Sequence, residues 1–203
     1  MSSVGLIYVG IVLVANGLML LGRVTATEVA PLNLFVGALQ VVTPTYLIFV
    51  AGGDPAAIFA ASGIYLFGFT YLWVGINCYT GHSNRGFGWF ALLVALCTIV
   101  YAADSFAGPS DYGFGVVWLM WGVLWFLFFL VLGLGLDALG PPTGVYTVVT
   151  GAVTAVVAFL SLMGGWTGDL APALVIAVVA AIALVAAVPA APMLAPSPPE
   201  AGD

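Results

Sequence analysis

Trp121-Gly122-Val123-Leu124-Trp125 is the third copy of a five-residue unit. The earlier copies are Val9-Gly10-Ile11-Val12-Leu13 and Phe67-Gly68-Phe69-Thr70-Tyr71, each inside an odd-numbered apolar segment. In every copy glycine follows the first bulky residue, and a second bulky residue stands four positions after the first, on the same helical face. The spacing is nearly even, 58 residues from Val9 to Phe67 and 54 from Phe67 to Trp121. Three related helices that each present a bulky pair can surround one axis and constrict it. That pattern describes a narrow passage through a membrane.

The membrane setting follows from composition. Charged residues make up 5% of 203 positions and hydrophobic residues 64%, far from the balance of a soluble domain. A helix needs about 20 residues to cross a hydrocarbon core. Seven stretches meet that length, near 4–22, 31–51, 58–79, 87–105, 113–136, 144–164 and 170–190. No Lys or Arg precedes Val4 and the first segment runs on into a hairpin, so a cleaved signal peptide is not expected. The net charge of −6 argues against nucleic acid or an anionic membrane surface as a partner.

Both basic residues, Arg23 and Arg85, fall in connections on one side, between segments one and two and between segments three and four. Connections rich in Lys and Arg stay cytoplasmic, which puts the N-terminus outside and, after seven spans, the C-terminus inside. Asp54-Pro55, Gly81 to Gly86, Gly108-Pro109-Ser110, Pro141-Pro142 and Gly164-Gly165 supply turn chemistry between spans. Such short connections predict antiparallel pairs of consecutive helices. Pro44 is expected to kink the second span. After Pro189 the chain turns Pro-Ala-rich and acidic, the composition of a disordered tail.

The even segments repeat more faintly. Gly37, Ala95 and Gly151 are each followed three residues later by a polar group, Gln40, Thr98 and Thr154. The resulting expectation is an all-α integral membrane protein: a six-helix bundle of three repeated helical hairpins with pseudo-threefold symmetry, plus a seventh transmembrane helix. Internal repeats about an axis along the membrane normal are a known transporter design. The expected divisions are a six-helix domain over 1–164, an added helix over 165–190 and a cytoplasmic tail over 191–203.

Extended along each helix, the stripes read Leu6, Val9, Leu13, Asn16, then Ile64, Phe67, Tyr71, Val74, then Trp118, Trp121, Trp125, Phe128. Tryptophan in membrane helices usually belongs to the interfacial belt, a setting that suits Trp118 and not mid-span Trp125. Packing between helices or against lipid is the competing reading for the stripe, and close helix approach is the competing reading for its glycines. Ionisable groups sit at span ends and in connections, at Glu28, Asp54, Asp104, Asp111, Asp137 and Asp169. Ion channels and proton-coupled carriers keep such groups inside the bundle. A neutral permeant is therefore expected, moved passively. Flat aromatic faces with a few polar groups (the Tyr71 hydroxyl, indole N–H, the Asn16 amide, the Thr70 hydroxyl) suit a small planar solute such as urea or a short amide. A proton-coupled carrier and a structural subunit without transport are the alternatives; the lack of a buried carboxylate weighs against the carrier, and replacing the stripe aromatics would affect only assembly in a structural subunit.

These residues carry a resemblance. Leu6 to Leu13 with Asn16-Gly17, Asn33-Leu34-Phe35-Val36-Gly37, Leu66 to Leu72 with Ile76-Asn77, and Trp118 to Trp125 resemble the urea channel/amide transporter family, AmiS/UreI. The resemblance implies a homo-hexamer of six-helix protomers in the cytoplasmic membrane of a bacterium. Each protomer would have its own pore for urea or short aliphatic amides, and a cytoplasmic urease or amidase would consume the solute. It also implies that Val9, Leu13, Phe67, Tyr71, Trp118, Trp121, Leu124 and Trp125 build the constrictions, and that the N-terminus is outside. Family members opened by acid use histidines and carboxylates in long outer loops. Here those loops are short and the single histidine, His82, falls on the arginine side. Thr150 stands where acid-gated members carry a glutamate. Carboxyl groups titrate near pH ~4 and histidine is the sensor of mild acidity. A pore without acid gating is the expectation.

Cys78 and Cys97 lie in or beside spans, where a thiol is a small apolar group. No nucleophile-base pair or ligand cluster is visible, so no enzyme activity, metal or cofactor is expected.

Overall fold

A computed structural model describes residues 3–107 and 111–194. They form seven helices: α1 (Ser3–Leu20), α2 (Ala26–Val50), α3 (Pro55–Thr80), α4 (Arg85–Ala107), α5 (Tyr112–Phe128), α6 (Gly140–Leu162) and α7 (Leu170–Leu194). A π-helical turn, Phe129–Gly133, prolongs α5, and a 3-10 turn, Asp137–Leu139, leads into α6. All seven are long and apolar enough to cross a membrane, and no strand occurs among the described residues.

The ends follow the local chemistry. α2 begins before its apolar run because the Glu28 carboxylate accepts from both the N–H and the hydroxyl of Thr25, each at 2.7 Å. Asp54 caps α3 by accepting from the Ala56 N–H, with Pro55 in the first turn. Gly81 ends that helix in the left-handed region at φ 69°. α7 continues past 190 to Leu194, with Pro189 and Pro192 inside it. Residues 191–194, expected in the tail, are therefore helical; the rest of the tail, 195–203, and the turn at 108–110 lie outside the described residues.

The first six helices close a ring, with a different pairing from the expected hairpins. The extensive interfaces are α1 with α6, α2 with α3 and α4 with α5; the partners within each hairpin touch much less. The small residues of the repeats are the reason. A Cβ added to Gly10 would stand 2.7 Å from the Gly151 carbonyl oxygen, and one added to Gly151 would stand 2.7 Å from the Gly10 carbonyl oxygen. Gly68 meets the backbone of Gln40 on α2, and Gly122 meets Thr98 on α4. Each motif glycine thus seats its odd helix on an even helix of another repeat, at the close approach that small residues permit. The three extensive pairs, α1–α6, α3–α2 and α5–α4, follow one rule of odd helix on even helix, the pairing that three repeats about one axis require.

α7 lies outside this ring against α5 and α6, burying Ala173, Ile176, Ala183 and Ala187. Its last carbonyls have no helical partners of their own. Arg23 Nε donates to one of them, the Leu194 oxygen, at 2.6 Å. That bond places the end of α7 on the arginine side.

Candidate permeation site

With the motif glycines turned toward neighbouring helices, the bulky pairs beside them turn inward. Val9, Leu13, Asn16, Phe67, Tyr71, Trp118, Trp121, Leu124 and Trp125 are all 5% exposed or less. The aromatic stripe is therefore neither an interfacial belt nor a lipid-facing surface. The exposed outer face of the ring carries other side chains, among them Phe35, Phe49, Phe69 and Leu93.

The ring of Phe67 is the hub of the aromatic cluster. Its centroid lies 4.8 Å from Trp121 and 5.3 Å from Trp125, both edge to face, and 6.0 Å from Trp118. Trp118 and Trp121 meet edge to face at 4.9 Å. These are favoured aromatic geometries, worth about 0.5–1.5 kcal/mol per pair beyond burial. They hold large rings in fixed positions around a narrow axis.

Two cavities approach this cluster from opposite sides. The inner one, on the arginine side, has a volume of about 320 Å³; Leu13, Tyr71 and Trp125 line it, and its rim includes Ala26, His82 and Asn84. The outer one has a volume of about 270 Å³ and is lined by Phe59, Asp104, Asp111, Phe114 and Trp118 among others. Val9, Phe67, Trp121 and Leu124 belong to neither lining and fill the stretch between. Along α3 and α5 the order is the same: cavity wall, closed aromatic stretch, cavity wall.

The polar groups of this path divide sharply. Asn16 and Asn33 exchange amide hydrogen bonds at 2.9 and 2.7 Å, joining α1 to α2, and Asn33 Nδ2 also donates to the Val29 carbonyl. The Thr70 hydroxyl donates to the Leu66 carbonyl of its own helix at 2.6 Å. Trp121 Nε1 donates to Thr154 Oγ1 on α6 at 3.1 Å. The Tyr71 hydroxyl and Trp125 Nε1, in contrast, are buried with no partner among the described residues. An unpaired buried polar group costs about 1–3 kcal/mol. Tyr71 and Trp125 both line the inner cavity.

Two contributors escaped the sequence reading. Tyr101 on α4 stacks on Trp118 at 4.6 Å and on Phe59 at 4.8 Å, and shares a 2.8 Å hydrogen bond with Ser62. Nothing in its sequence context marks it, because Trp118, Ser62 and Phe59 are 17, 39 and 42 residues away in chain order. Thr154 was legible as the polar member of the even repeat, without its role as acceptor for Trp121.

Comparison with known proteins agrees with this architecture. The family model for the AmiS/UreI family transporter matches residues 1–165, the whole six-helix ring without α7. A Mycolicibacterium smegmatis protein, named as a transporter of amidate substrates, is 57% identical over 180 residues, covering 88% of this chain and 84% of its own. Transporter protein AmiS2 of Rhodococcus erythropolis is 50% identical over 190 residues, covering 88% of this chain and 92% of its own. Among solved structures, the Helicobacter pylori urea channel in its closed state superposes with a TM-score of 0.75 at 30% identity, over 82% of this chain and 100% of that one. With a family match over the full ring and relatives that span most of its length, the chain belongs to the AmiS/UreI family of transporters.

Proposed function

We propose that this protein is a passive channel for urea or short aliphatic amides, with one narrow aromatic pore in each protomer and no acid gate. The observation that carries the reading is the pair of unpartnered groups, the Tyr71 hydroxyl and Trp125 Nε1, at the edge of an otherwise apolar constriction. A planar amide has a carbonyl that accepts from the indole N–H and N–H groups that donate to the phenol oxygen. Its faces slide between rings. Stripping an amide or hydroxyl of water without compensation costs about 2–7 kcal/mol, and two hydrogen bonds recover part of that. A hydrated ion finds no charged partner in the same slot and faces a far larger cost. Val9, Leu13, Phe67, Trp118, Trp121 and Leu124 set the width; Asn16 braces the inner wall through Asn33.

The arginine side is cytoplasmic and the N-terminus outside, in keeping with both basic residues lying on that side. Six copies form the assembly, and a cytoplasmic urease or amidase consumes the solute. The test is stopped-flow light scattering of proteoliposomes exposed to urea, acetamide or thiourea. Expected is fast flux that does not saturate at millimolar solute and ignores an uncoupler. Saturating flux that collapses with the proton gradient supports a carrier instead, and flux no faster than in empty liposomes removes the pore reading.

A further inference from the structure

The connection between α6 and α7 crosses over the first turn of α5, and the contact is built from several parts. Trp166 Nε1 donates to Asp111 Oδ2 at 2.8 Å. The other oxygen of that carboxylate, Oδ1, caps α5 by accepting from the Phe114 N–H at 2.8 Å. The Gly113 N–H reaches the Gly168 carbonyl at 3.4 Å. The Trp166 ring stands edge-on to Phe114 at 5.8 Å and occupies the place a Gly113 side chain would take. Gly168 holds φ 68°, and a Cβ there would press on the Asp111 carboxyl. Asp111 and Phe114 also line the outer cavity directly above Trp118.

From this we infer that Trp166 is a positioning residue for permeation. It fixes Asp111 and Phe114 at the outer entrance and so steadies the helix that carries Trp118, Trp121 and Trp125. Both carboxylate oxygens of Asp111 are engaged, one by the helix it caps and one by the strap. The entrance wall therefore has no loose first turn. In this reading α7 has a task beyond shielding α5 and α6 from lipid: its buried alanine face anchors one end of a strap whose other end holds the mouth. The inference rests on the pore reading above.

Two measurements on the full-length protein test it together. Hydrogen-exchange mass spectrometry on the peptide covering 111–117 reads the strap itself. Proteoliposome flux of urea and acetamide, normalised to folded protein, reads its effect. In Trp166→Ala, exchange in that peptide speeds several-fold, and both fluxes fall several-fold by the same factor, because the slot that discriminates between them is untouched. Gly113→Ala reproduces both effects by evicting the ring while leaving its chemistry intact. Trp166→Phe keeps a ring without the N–H and gives a smaller change in the same direction. Unchanged exchange, or faster exchange with unchanged flux, overturns the inference while the pore reading stands. Absence of flux in the unsubstituted protein overturns both.

Discussion

At the scale of single residues, Tyr71 and Trp125 each carry a buried polar atom with no partner among the described residues. Replacing Tyr71 with Phe removes a buried hydroxyl that no group among the described residues satisfies, so thermal unfolding in detergent should stay where it is or move upward. On the proposed function, the same change removes a hydrogen bond from the solute. A net bond of about 0.5–1.5 kcal/mol corresponds to a loss of roughly two- to tenfold in urea flux. Trp125→Phe should lower flux in the same direction, and a variant that loses stability and flux together would count against a solute-binding role. Cys78 offers an independent probe, because it lines the inner cavity while Cys97 is exposed on the outside of the ring. A charged thiol reagent that reaches the arginine side should slow urea flux, and Cys78→Ala should abolish the block whereas Cys97→Ala should not. Helical spacing groups Val9 with Leu13, Phe67 with Tyr71 and Trp121 with Trp125 on one face each, and all six are buried. Which polar groups stay free is invisible to the sequence: Asn16 is matched by Asn33 seventeen positions away, and Thr70 turns back on Leu66. Those pairings need the fold.

At the scale of elements, hydropathy located every span because about 20 apolar residues have few other uses. It placed the ends less well, since the capped first turn of α2 and the last turn of α7 are helical beyond the apolar stretches that announce them. Short connections correctly made α2–α3 and α4–α5 neighbours, and the same argument overrated the contact within each repeat. Connection length fixes who is adjacent; the glycines fix who is close. Gly10→Leu should therefore behave unlike any substitution on the lipid face. The new side chain meets the backbone of α6, and overpacking of this kind costs about 1–3 kcal/mol or more. Reduced yield of monodisperse protein and a lower unfolding temperature are the expected outcomes. Phe35→Leu, on an exposed outer face, should change neither.

At the scale of the whole molecule, the proposed neutral permeant sets the expected response to pH. The outer cavity is lined by two carboxyl groups, Asp104 and Asp111, and no imidazole. A neutral solute carries no charge for acidification from pH 8 to 5 to act on, and the one histidine lines the opposite cavity. Flux should vary by a factor of about two at most across that interval; a steep rise with outside acid would show a gate that these residues do not explain. The ring itself has a consequence for how the protein is made. α1 finds its main partner in α6, the last helix of the ring, so it leaves the ribosome well before the helix that matches it. At about 5–20 residues per second it waits on the order of ten seconds in the bilayer. During that time Gly10 and Gly17 present bare backbone to lipid, and Asn16 has only Asn33 for company. The asparagine pair is then an early clasp, formed as soon as α2 is inserted, that keeps the first hairpin together until the circle closes.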